Sequence, residues 1–181
     1  MKKIFCIFAS LFVVAAIGHA SVPTQLTEES SVQETNVTAT NDNNSNTTNM
    51  QEVQAFLKEC GTFYIATVDG DQPRVRPFGV SEIINGRLYI MTGKVKDVYK
   101  QMAKNGKFEI CALKKSGMEW IRLSGTLVND ETLSVKEEFL NRNQSLKSMY
   151  KADDDNMAVL YITNATARFC SFTAPERTVT F

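Results

Sequence analysis

The sequence predicts a mainly β fold of the α+β kind, a small antiparallel β-barrel with short helices at its periphery. Three observations carry that expectation: strand-length runs of β-branched and aromatic residues recur from residue 62 onward, turn residues separate them at short spacing, and the helical patterns between them are brief. No period of internal repetition accompanies them.

The chain begins with Lys2-Lys3, an apolar run from Ile4 to Ile17, and Gly18-His19-Ala20. This is the basic start, apolar middle and small-residue cleavage site of a secretory signal peptide, and cleavage after Ala20 would leave a secreted or periplasmic protein. The run falls short of the roughly 20 residues a spanning helix needs, so no stable membrane insertion is expected after cleavage. Residues 21–49 are dominated by Ser, Thr, Asn, Gln and Glu and contain no Lys, Arg or aromatic residue. Such a segment buries too little apolar area to offset its ordering entropy, which predicts a disordered tether ahead of a folded domain at 50–181. Asn36, Asn43 and Asn46 fit the glycosylation acceptor pattern, a signal with meaning only in a eukaryotic secretory pathway.

Met50, Val53, Phe56 and Leu57 form the stripe of a short amphipathic helix over 50–58. Strands follow at about 62–68, 74–83 and 87–92. Asp69-Gly70-Asp71 is turn chemistry, and Asn85-Gly86 is a strong hairpin signal, because a type I′ turn needs positive φ at both central residues. The second and third strands are therefore expected to be antiparallel neighbours. Val98, Tyr99 and Met102 mark one side of a helix over 97–104 that stops near Asn105-Gly106. Strands at 108–113 and 119–128 flank the turn Lys114–Gly117. Helical patterns at 131–140 and 144–150 place Val135, Phe139 and Leu140 inward, and 157–172 reads as one long strand before a last short one at 178–181.

Composition excludes several function classes. Twenty basic and 20 acidic residues give zero formal charge, and loss of Lys2 and Lys3 with the signal leaves 18 − 20 = −2. That balance gives no electrostatic reason to expect nucleic acid or an anionic membrane as partner. Cys60, Cys111 and Cys170 remain after cleavage, an odd and widely spaced set that is no disulfide framework; Cys111 and Cys170 lie in apolar runs and read as small buried hydrophobes. The only histidine, His19, leaves with the signal, which removes Ser-His and Cys-His catalysis, histidine-ligated zinc and histidine-bound haem. Asp153-Asp154-Asp155 lacks the ligand spacing of a calcium loop and reads as a solvated turn, so no metal is expected.

Two cationic patterns stand out. Strand alternation places Arg74 and Arg76 on one face, with Val75 and Pro77 on the other. Met91-Thr92-Gly93-Lys94-Val95-Lys96 ends a strand, turns on a glycine and enters a helix at Asp97, a place where free N–H groups, a hydroxyl and two lysines suit a phosphate. On neighbouring strands, four cations and the Thr92 hydroxyl would converge on one side of a hairpin. Trp120 shares a strand face with Arg122 and Ser124, where it either packs on the sheet or meets a planar ligand.

TVDGDQPRVRPFG, NGRLYIMTGKVKDVYKQMAKNGKFEICAL and EWIRLSG, in this order and spacing, resemble the pyridoxamine 5′-phosphate oxidase-like family of FMN-binding split barrels, over residues 50–181. The resemblance implies a six-stranded antiparallel split β-barrel that forms a homodimer, with FMN in grooves between the subunits. It places Arg74, Val75 and Arg76 along the cofactor, Met91 and Thr92 at the ring edge or ribityl chain, Lys94 and Lys96 at the phosphate, and Trp120 on the strand that approaches the flavin. The basic loop is one residue shorter than that of the true oxidases, which leaves the choice between Lys94 and Lys96 open. TAPERTVTF has no match to the C-terminal Trp and Arg elements those oxidases use for substrate, so vitamin B6 synthesis is not implied. The implied function is an FMN-dependent oxidoreductase of unassigned substrate in which the flavin carries the chemistry. The alternatives are a non-catalytic flavin-binding or storage protein, and a split barrel that takes another ligand such as deazaflavin.

Overall fold

The computed structural model describes residues 35–181, with side chains from residue 44 onward. The expected signal peptide and residues 21–34 of the tether lie outside the described residues. An N-terminal helix, α1 (Thr35–Cys60), is followed by β1 (Phe63–Asp69), β2 (Gln72–Phe78), β3 (Ser81–Ile84), β4 (Arg87–Gly93), α2 (Asp97–Lys104), β5 (Lys107–Leu113), β6 (Glu119–Asp130), α3 (Leu133–Arg142), a 3-10 segment (Gln144–Ser148), β7 (Met157–Ser171) and β8 (Arg177–Thr180). The strands form one antiparallel sheet in the order β2-β1-β5-β6-β7-β4-β3, with β8 added to β7. This is the split barrel, with eight strands rather than six.

The extra strands have identifiable origins. The single strand expected over 74–83 is two, β2 and β3, interrupted at Gly79-Val80. Residues up to Phe78 pair with β1, and those from Ser81 pair with β4. Because β2 and β3 are the two ends of the strand order, Gly79-Val80 carries the chain across the gap between the sheet's free edges. Pro77 fits this arrangement: it has no N–H to give, and β2 is an edge strand. The Asn85-Gly86 turn forms as expected, with φ of 49° and 72°, and it joins β3, not the arginine-bearing β2, to β4.

The barrel interior is apolar. Ile65, Leu88, Ile90, Ile110, Ile121 and Leu123 are fully buried, together with Val53 and Leu57 from α1 and Val98 and Met102 from α2. Each such side chain stabilises the fold by about 1.5–3 kcal/mol relative to exposure. A second cluster lies on the other face of β4 and β7, where Tyr89, Met157 and Val159 meet Val135, Phe139 and Leu140 of α3. β4 and β7 are therefore buried on both faces. β7 bends at Asn164 (φ 51°), where its register against β6 shifts, so inward positions pass from Ala158, Leu160 and Ile162 to Ala165 and Ala167.

α1 begins at Thr35, so residues 35–49, expected in the tether, are helical. Extending a helix costs far less than nucleating one, and the packed segment around Val53 and Leu57 supplies the nucleus. Asn49 donates to the Thr180 carbonyl at 3.0 Å, and Glu52 pairs with Arg177, which ties this helix to β8. All three described cysteines are free thiols. Cys170 is buried, but Cys111 is exposed, because Phe108, Ile110 and Ala112 take the inward positions of β5. Among the described residues no helix is long and apolar enough to cross a membrane.

Candidate functional site

A cavity of about 420 Å³ opens beside the crossing between β2 and β3. Arg76, Pro77, Phe78, Gly79 and Val80 form one wall. Met91 and Thr92 at the end of β4, with Lys96 and Val98 at the start of α2, form its floor, and Leu146, Met149 and Tyr150 close the far side. The volume is that of a small-molecule site.

Of the eight residues expected along a cofactor, the structure brings four to this cavity: Arg76, Met91, Thr92 and Lys96. Arg76 leans inward from β2 and donates to Thr67 Oγ1 at 2.5 Å and to Gln101 Oε1 at 2.6 Å. Thr67 in turn donates to Gln101 Oε1 at 2.7 Å, and both acceptor residues are buried. These neutral partners orient the guanidinium without cancelling its charge. Burial, and then the charge of Arg74, pull the Arg76 pKa below its ordinary value, which marks an environment where a bound anion would be welcome. Lys96 is exposed at the cavity edge and has no ion pair among the described residues. The Thr92 side chain is buried, and its hydroxyl makes no hydrogen bond within the described residues.

The other four take different places. Arg74 pairs with Asp69 across the β1–β2 hairpin at 3.3 Å. Lys94 pairs with Glu131 at 2.7 Å, and this bond holds its ammonium above the usual lysine value. Glu131 also receives Lys136 at 2.7 Å and Asn129, and the two lysines push its carboxyl down to about 2. Val75 points out of β2 and is 65% exposed. Trp120, on the outer face of β6, packs against Phe172 with ring centroids 5.0 Å apart. The expected convergence of four cations beside a hairpin is thus a convergence of two across the split. The reason is that the arginines sit on β2, which does not neighbour β4.

The basic loop is held from behind by Asn156. Its carbonyl accepts the Lys94 N–H at 2.7 Å and its side-chain Oδ1 accepts the Val95 N–H at 3.2 Å. Asn156 is itself placed by Asp154, which accepts its backbone N–H at 2.8 Å, so the acidic run before β7 caps a turn. Gly93 leaves room here for two side chains. A Cβ there would lie 3.1 Å from Asn156 Oδ1 and 3.2 Å from Tyr150 Oη.

Leu146, Met149 and Tyr150 carried no functional signal in the sequence, since their segment shows only a helical pattern. Gln101 did carry one: it is a polar residue three positions after Val98 on the inward stripe of α2, and the structure buries it beside Val98 and Met102.

Comparison with known proteins gives a consistent picture. The sequence profile described as pyridoxamine 5′-phosphate oxidase matches residues 50–171. A NimC/NimA family protein from Clostridium acetobutylicum, solved by crystallography, is 45% identical with a TM-score of 0.75, over 78% of this chain and 98% of that one. General Stress Protein 26 from Bacillus anthracis is 17% identical with a TM-score of 0.57, over 72% and 98% of the two chains. A heme binding protein from Mycobacterium smegmatis is 12% identical with a TM-score of 0.57, over 72% and 57%. At those identities the last two share the fold alone. No curated protein matches the chain.

Proposed function

Because the chain belongs to the pyridoxamine 5′-phosphate oxidase family, we propose that it is an FMN-binding oxidoreductase, acting outside the cytoplasm as a homodimer. The observation that carries the reading is the pair Arg76 and Lys96. Both line the cavity, and neither is neutralised by a carboxylate among the described residues, whereas Arg74 and Lys94 are. Two uncompensated cations beside the free Thr92 hydroxyl suit a phosphate, and the apolar surfaces of Phe78, Val80 and Met91 suit a planar ring. The residues present therefore fit FMN, with Arg76, Thr92 and Lys96 on its phosphate side.

When bound, FMN supplies hydride or electron transfer through its own ring. The chain then has to bind the phosphate, orient the ring and leave one face open, and none of these tasks needs a histidine. The homodimer reading rests on the outer face of β2, β1 and β5, where Val75 (65%), Tyr64 (53%) and Leu113 (54%) remain exposed near Trp120. A second copy covering this face would bring Val75 and Trp120, which do not reach their own cavity, toward a groove between subunits. Export rests on the signal-peptide pattern of residues 1–20.

The test is direct. The purified protein should show flavin absorbance bands or acquire them with added FMN, and a nicotinamide donor should bleach them anaerobically. A protein that stays colourless contradicts the FMN reading. Uptake without bleaching by any donor supports the non-catalytic flavin-binding alternative. Cell fractionation with an antibody reports export, and light scattering after size exclusion reports the dimer.

A further inference from the structure

The far wall of the cavity carries a polar group that neither the fold nor the proposed phosphate contacts account for. Tyr150 follows the 3-10 segment and lines the cavity. Its ring packs closely against the basic loop: a Cβ on Gly93 would lie 3.4 Å from its Cε1 and 3.2 Å from its Oη, so the ring would have to give way by a few tenths of an ångström. The hydroxyl thus sits beside the backbone that links Thr92 to Lys94. It makes no hydrogen bond within the described residues, although the ring around it is half-buried. No buried side-chain polar atom among the described residues lacks a partner, so this hydroxyl opens to solvent in the cavity, where it is free to donate to a ligand.

We propose that the Tyr150 hydroxyl is an anion-binding group of the cavity, donating a hydrogen bond to the phosphate that Arg76, Thr92 and Lys96 attract. This rests on the FMN reading above and adds a second wall to it. Arg76, Thr92 and Lys96 come from the sheet and from the loop that opens α2, whereas Tyr150 reaches the anion from the α3–β7 connection. Glycine at position 93 lets the ring pack close to the loop, and Asn156 holds the loop through the Lys94 and Val95 amides.

The experiment compares the full chain with Tyr150→Phe, which keeps the ring on Gly93 and removes only the oxygen. FMN, riboflavin and inorganic phosphate are the probes. Loss of one hydrogen bond to a charged group predicts FMN affinity lower by about tenfold with riboflavin affinity unchanged. Gly93→Ala, which displaces both the ring and Asn156, should lower FMN affinity at least as far. Equal weakening of FMN and riboflavin by Tyr150→Phe, or no change in either, overturns the proposal. If the wild-type chain binds no FMN, the FMN reading fails on its own and the phosphate arm decides: thermal stabilisation of wild type by phosphate that Tyr150→Phe abolishes supports an anion contact. Absence of any such stabilisation in wild type overturns it.

Discussion

Arg74-Val75-Arg76 and Lys94-Val95-Lys96 are the same pattern written twice, and each is divided in the same way. The first cation of each is paired with a carboxylate, Arg74 with Asp69 and Lys94 with Glu131, while the second lines the cavity and forms no ion pair among the described residues. Four cations alike in sequence are thereby sorted into two that stabilise the chain and two that are available to a ligand. Partners do the sorting, because a charge already neutralised at about 3 Å has little left to offer an anion.

Substitutions can break or sharpen this contrast. Arg76→Ala should have the largest effect, because it removes a free cation, the donor to Thr67 and one of the two donors to Gln101. A charge-assisted contact of about 1.5–3 kcal/mol predicts a loss of FMN affinity of roughly 10- to 100-fold, read by fluorescence titration. Lower thermal stability should accompany it. Lys96→Ala comes next: about tenfold weaker FMN binding, with riboflavin unaffected and stability unchanged, since its side chain is in solvent.

Glu131→Gln attacks the contrast from the other side by freeing Lys94. FMN affinity should rise by about two- to threefold, while stability falls because Lys136, only 6% exposed at its side chain, loses its carboxylate. The same pair predicts a pH dependence. The Glu131 carboxyl is held at about 2 in the folded chain against an ordinary value of 4.5. A depressed folded pKa means the contribution is complete above 4.5 and disappears as pH falls toward 2. With half of the Glu131 side chain exposed, it amounts to about 1 kcal/mol or less. Thermal melts of wild type and Glu131→Gln should differ by a constant amount above about pH 5 and converge below it. Lys94→Ala should be the mildest for binding, changing FMN affinity by no more than about twofold.

The part of this that is legible in the sequence is the part set by neighbours along the chain. The Asn85-Gly86 turn, the amphipathic face of α1 and the strand alternation around Trp120 follow from local chemistry, and the structure forms each of them. The crossing at Gly79-Val80 does not, because Pro77 and Gly79 interrupt the strand pattern but nothing local assigns its two halves to opposite sheet edges. That single break moves both arginines away from β4. The sorting of the lysines is equally hidden, since Glu131 reaches Lys94 only through the pairing of β6 and β4 with β7 between them. Tyr150 is silent for the same reason: its significance lies in the space that Gly93 leaves, which is a property of the folded loop.

The central claim is that availability, and not mere presence, decides which cations hold the ligand. Calorimetric titration of FMN and riboflavin into wild type, Lys94→Ala and Lys96→Ala tests it most directly. The prediction is that Lys96→Ala alone lowers the preference for FMN over riboflavin, by about tenfold. Equal losses in the two variants, or a greater loss in Lys94→Ala, would contradict it.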